Sequence, residues 1–119
     1  MPSFAELLPE IKKRPTLYLS RYSIFDFQSF YYGYDLARNQ LGIAKTDADI
    51  EFEEFLSWVR TRYNIETTQS WASLILFHSI DERDALDRFF KLWEAFHNRN
   101  KDRSSIESES ESQSQTVKV

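Results

Sequence analysis

Ser23-Ile24-Phe25-Asp26-Phe27-Gln28-Ser29-Phe30-Tyr31-Tyr32-Gly33-Tyr34-Asp35-Leu36-Ala37-Arg38-Asn39-Gln40-Leu41-Gly42 is the stretch whose reading decides the fold. Ser23 with Asp26 three residues on suits a capping box, an Asp standing in for the usual Glu, and Gly42 suits the position just past a helix end. Between them Ile24, Phe27, Phe30, Tyr31, Tyr34, Ala37 and Leu41 recur every three or four residues, the spacing of one wide helical face. A helix of about 18 residues is roughly 27 Å long, enough to cross a small domain. The other helices are expected to pack on this one.

Upstream, Ser3 and Glu6 suit a second capping box, opening a short helix with Phe4, Leu7, Leu8 and Ile11 on its apolar side. Pro9 lies beyond the first turn and predicts a kink or a restart. Lys12, Lys13 and Arg14 favour a helix C-terminus, and Pro15 ends it. Residues 16–22 are expected to be extended or turn-like, delivering Leu17 and Leu19 inward. Downstream, the polar connector Lys45-Thr46-Asp47-Ala48-Asp49 precedes a third helix from about Ile50 to Tyr63, with Phe52, Phe55, Leu56, Val59 and Tyr63 on one face and Asn64 at its end. Thr67-Thr68-Gln69-Ser70 starts a fourth, Trp71 to about Ser79, apolar nearly all round and so expected to be buried on most sides. Asp81 and Asp84 cap a fifth, whose stripe is Ala85, Leu86, Phe89, Phe90, Trp93 and Phe96. No period-2 strand pattern occurs. The chain reads as an all-α bundle of about five helices over residues 1–97. From Asn98 the apolar pattern stops, and a Ser/Glu/Gln-rich stretch with almost nothing to bury is expected to be a disordered tail, 98–119.

The totals agree with one domain. At 119 residues the chain can build a core without staples, and it has no cysteine for disulfides or thiolate metal sites. Ten Phe, six Tyr and three Trp imply a core rich in rings. Only two glycines, Gly33 and Gly42, weigh against a phosphate-cradling loop. The net charge of −4 makes nucleic acid a poor expectation as partner and a basic protein a better one. No signal peptide and no run long enough to span a bilayer is evident, so a cytoplasmic location is the default expectation.

Two resemblances start from the same words. Lys13-Arg14-Pro15-Thr16-Leu17-Tyr18-Leu19 is similar in letters to a segment of gyrase-type ATPases, but Asp35 and Asn39 are imperfect substitutes for that family's acidic residue and Asn. After Gly42 no glycine remains for its nucleotide loops. The broader resemblance covers most of residues 4–97: Arg14-Pro15-Thr16-Leu17-Tyr18, Gly33-Tyr34-Asp35-Leu36-Ala37, Phe55-Leu56-Ser57-Trp58-Val59, Ser70-Trp71-Ala72-Ser73-Leu74-Ile75 and Asp81-Glu82-Arg83-Asp84-Ala85-Leu86-Asp87-Arg88-Phe89-Phe90-Lys91-Leu92. In order and spacing these words resemble small bacterial immunity-type proteins encoded beside polymorphic or contact-dependent toxins. The resemblance implies a protein that binds and neutralises a cognate toxin by stoichiometric occlusion, with no catalytic residue and no cofactor. The alternatives are a general interaction or adaptor module and a small enzyme with an unrecognised site.

Asp47, Asp49, Glu51, Glu53 and Glu54 place five carboxylates within eight residues at the start of the third helix. Such a run is either a solvated helix N-terminus aligned with its dipole or an acidic patch that docks a basic toxin such as a nuclease domain. Asp35 and Glu66 could extend the patch, and Tyr31 and Tyr32 could supply aromatic anchors. Arg14 is expected to be structural, pairing with a carboxylate or with helix-end carbonyls, and Tyr18, Trp58, Trp71 and Trp93 are expected in the core. His78 and His97 lie on different helices with no Cys nearby, so no metal site is expected. Oligomeric state and the toxin's activity stay open at this level.

Overall fold

The computed structural model describes the backbone of residues 1–63 and 69–117 and the side chains of residues 1–63 and 69–102. Its elements in order are α1 (Phe4–Lys13), a single 3-10 turn (Pro15–Leu17), α2 (Ile24–Gln40), α3 (Asp47–Arg62), α4 (Trp71–Phe77) and α5 (Glu82–Val117). Among the described residues there is no strand, so the architecture is an all-α bundle of five α-helices. None of them is long and apolar enough to cross a membrane.

The helix starts follow short-range chemistry. At α1 the Glu6 half of the Ser3/Glu6 capping box forms, its carboxylate accepting the Ser3 N–H at 3.3 Å, while Glu6 N–H donates to the Ser3 carbonyl. At α3 the box is Thr46 with Asp49, whose carboxylate accepts the Thr46 N–H at 2.9 Å; the helix therefore begins at Asp47, three residues before the expected Ile50. The Ser70 hydroxyl accepts the Ser73 N–H at 3.2 Å, and Asp81 accepts the Asp84 N–H at 2.8 Å. At α2 the expected box is only half present. Ser23 Oγ accepts from Phe25 N–H, but Asp26 turns back to accept the Arg21 N–H at 2.9 Å, because the Ser23 N–H already donates to the Arg21 carbonyl. The C-terminus of α2 is a Schellman turn: Gly42 N–H donates to Asn39 C=O and Ile43 N–H to Arg38 C=O, with Gly42 at φ +72°.

The core is one cluster centred on rings. Phe27 of α2 is fully buried and stands 5.4 Å from Phe4, 4.7 Å from Phe89 and 5.7 Å from Phe90, mostly edge-on or tilted. Phe52 and Phe55 of α3 reach Trp93 of α5 at 5.5 and 5.3 Å. Helix α1 packs on α3 and α2, α4 packs on α2, α3 and α5, and α2 packs on α5. All six stripe residues of α5 are buried.

Several expectations are corrected. Pro9 sits inside α1 without restarting it: its exposed position leaves the Ala5 carbonyl to water, while buried Leu8 and Ile11 hold the turn. Leu19 is buried but Leu17 is exposed, since the 3-10 turn that Pro15 starts rotates it outward. Leu41 is exposed because the chain leaves the helix there. α4 is buried on most sides, as expected, with Trp71, Ala72, Leu74 and Ile75 facing inward, but its end is open: Phe77 is 76% exposed and Ile80, in the following turn, 91%. A seven-residue helix packed by α2, α3 and α5 still has one uncovered side at its C-terminal end. Helical backbone also continues past Asn98, where the apolar stripe stops; Asn98, Arg99, Lys101 and Asp102 are exposed on it. Of the expected disordered tail, 98–119, residues 98–102 are helical, and the side chains of 103–119 lie outside the described residues. So do the expectations for Asn64, Thr67 and Thr68.

Candidate functional site

The corner where α2 ends and α3 begins gathers most of the acidic residues singled out in the sequence. Its interior is a charged hinge. Arg38 is only 5% exposed; its guanidinium donates to the Asp49 carboxylate at 2.7 Å and to the Met1 carbonyl at 2.8 Å. The same Asp49 oxygen accepts the Thr46 N–H and Oγ–H, so one carboxylate caps α3 and neutralises a cation from α2. A part-buried, multiply hydrogen-bonded carboxylate is held by its own chain. Asp49 is therefore corrected from a partner-binding residue to a structural one.

Two more members of the acidic run are engaged internally at the surface. Glu53 pairs with Lys45 at 2.7 Å, and Glu51 faces His97 Nδ1 at 2.5 Å. Since a carboxylate can only accept, Nδ1 carries the proton in that contact. The hydrogen bond to Glu53, with Asp35 and Asp49 adding to it, raises the Lys45 pKa above its usual value, so the ammonium is firmly charged within the acidic surface. Asp35, Asp47 and Glu54 make no hydrogen bond or ion pair among the described residues and face solvent. Glu66 lies outside the described residues.

The aromatic anchors divide. Tyr31 is 7% exposed, with its ring 5.0 Å from Phe52 and 4.9 Å from Phe4, so it belongs to the core and cannot serve as the exposed anchor expected of it. Burial, reinforced by Asp35 and Glu53, pushes its hydroxyl pKa well above the usual tyrosine value. Tyr32, the next residue, is exposed with its ring 5.3 Å from Tyr31. One helical turn on, Leu36 is exposed too, and on α3 Ile50 is exposed between Asp47 and Glu54. Asp35 and Glu53 line the crevice between the two helices, above Tyr31 and Phe52. Each of the two helices thus shows exposed apolar side chains beside carboxylates, while Arg38 and Lys45 are both paired at this corner, with Asp49 and Glu53. The sequence signal for Leu36 and Ile50 is that both are apolar yet stand off the buried helical stripe.

The residues expected to be structural take different places. Trp71 is buried, its ring 5.4 Å from Phe89 and its Nε1–H without a hydrogen-bond partner among the described residues. Tyr18 is half-buried, edge-on to Phe30 at 5.9 Å. Arg14 is exposed and its guanidinium has no partner among the described residues; its anchoring is done by the backbone, N–H to Glu10 C=O and C=O from Leu17 N–H. The two histidines stay apart in role: His78 stacks on Tyr63 at 4.4 Å, His97 on Trp93 at 5.3 Å. Among the described residues no three His, Asp or Glu side chains assemble as a metal-binding group.

No protein-family model, no curated protein and no solved structure matches this chain.

Proposed function

We propose that this chain is an immunity-type protein of the bacterial cytoplasm, which neutralises a cognate toxin by binding it stoichiometrically, without cofactor or catalysis. The observation that carries this reading is the α2–α3 face. Exposed Tyr32 and Leu36 flank the unpaired carboxylate of Asp35 on α2, and exposed Ile50 stands one turn from those of Asp47 and Glu54 on α3. An apolar centre with a charged rim is the anatomy of a protein interface, and its sign suits a basic partner. A nuclease-type toxin displays cations where its substrate phosphates bind, so carboxylates seated there would exclude the substrate. The order and spacing of the motifs in residues 4–97, which resemble immunity-type proteins, support the same reading.

The test is co-expression with the toxin domain encoded beside this chain. Protection of the cells and a 1:1 complex surviving gel filtration are expected. A well-folded chain that neither protects nor binds would sink the proposal.

A further inference from the structure

The geometry points to a second, separate binding site: the groove between α1 and α5, for a small amphiphilic carboxylate of the fatty-acid kind. The inference does not depend on the toxin reading. Helix α1 is seated on α3 and α2, and α5 on α2 and α4, so the two stand as opposite banks of an open groove of about 540 Å³. That volume lies within the range of small-molecule sites, roughly 300–1,000 Å³. Its floor is apolar, formed by Leu8, Phe90 and Trp93.

The banks are not symmetric in charge. Lys12 and Lys13 line the α1 side, and Lys13 has no hydrogen bond or ion pair among the described residues. The one carboxylate in the groove, Glu94 on the α5 side, is already joined to Lys12 in an ion pair half-exposed at both ends. His97 lies flat on Trp93 with Nδ1 turned to Glu51, which leaves Nε2 as its free ring nitrogen. An apolar floor with a surplus ammonium on its bank fits a molecule with a greasy body and an anionic head. Such a head would pair with Lys13, or take Lys12 from Glu94.

The experiment is calorimetric titration of the full chain with dodecanoate below its micelle concentration, with dodecyltrimethylammonium and dodecanol as controls of the same chain length. Dodecanoate should bind saturably at 1:1, more tightly than dodecanol, and the cation should not bind. Lys13→Gln should weaken dodecanoate about two- to fivefold, the scale of one exposed ion pair. Glu94→Gln should tighten it by a similar factor, because it frees Lys12 and removes a like charge. Pro9→Trp, on the exposed lip, should fill the groove and weaken binding by about tenfold or more, roughly 1.4 kcal/mol. Circular dichroism of each variant separates loss of binding from loss of fold. Equal binding of anion and cation would overturn the inference, as would a Glu94→Gln variant that binds dodecanoate no better. An acidic amphipathic peptide that binds where dodecanoate does not would overturn it too.

Discussion

Asp49 shows how one side chain can look available in a sequence and be unavailable in a fold. It holds the buried guanidinium of Arg38 and the N-cap of α3 with the same oxygen. Asp49→Ala leaves that cation unpaired and the cap broken, so a loss of about 3 kcal/mol or more is expected, read as a lowered urea midpoint. Asp47→Ala, two residues away but without a partner, should stay within about 0.5 kcal/mol. The tyrosines set a limit at high pH. Burial raises the hydroxyl pKa of Tyr31, and burial with the 2.6 Å hydrogen bond to Asp87 raises that of Tyr22, both above the ordinary 10.0. In the unfolded chain these hydroxyls lose their protons first, so stability is fully present below pH 10 and falls as pH rises above it. Unfolding midpoints measured from pH 8 to 11.5 should be level up to about pH 9.5 and then decline. A level profile to the end would remove this linkage.

At the scale of the element, capping and periodicity account for most of what is seen. The Schellman turn at the end of α2 needs a left-handed residue, and Gly42 at φ +72° supplies it with nothing near where a Cβ would stand. Gly42→Ala should therefore cost about 1–2 kcal/mol through backbone strain alone, with no clash to relieve. α4 shows the limit of pattern reading. Its seven residues are nearly all apolar, so no periodicity tells the inward side from the outward one. The tertiary structure does: Leu74→Ala should cost about 2–5 kcal/mol, since Leu74 is fully buried. Phe77→Ser should stay within about 0.5 kcal/mol, since Phe77 points to solvent. Thermal melts of the two variants side by side test the assignment.

For the whole molecule, the proposed output is association with another protein, and charge of both signs at the corner of α2 and α3 gives a two-way test of it. Replacing Asp35, Glu53 and Glu54 together by Asn and Gln should slow association with a basic toxin about tenfold at low ionic strength, and much less in high salt. Lys45→Gln should do the reverse, because it removes the cation that partly cancels the patch. Stopped-flow rates that shift in the same direction for both variants would argue against an electrostatic encounter at this face.

The amino-acid sequence by itself determined the all-α class, four of the five helix starts to within a residue or so, the buried stripe of α5 and the first half of that of α2. These rest on interactions among residues three or four apart, so the relevant partners are adjacent in the chain. What only the tertiary structure decided is which of the conspicuous side chains remain free. Asp49 goes to Arg38 across 11 residues and Glu51 to His97 across 46, while Tyr31 disappears beneath Phe4 and Phe52. Contacts between separate helices leave no trace in local spacing, because they depend on how the ring-lined faces come together and which surface is left uncovered when they do.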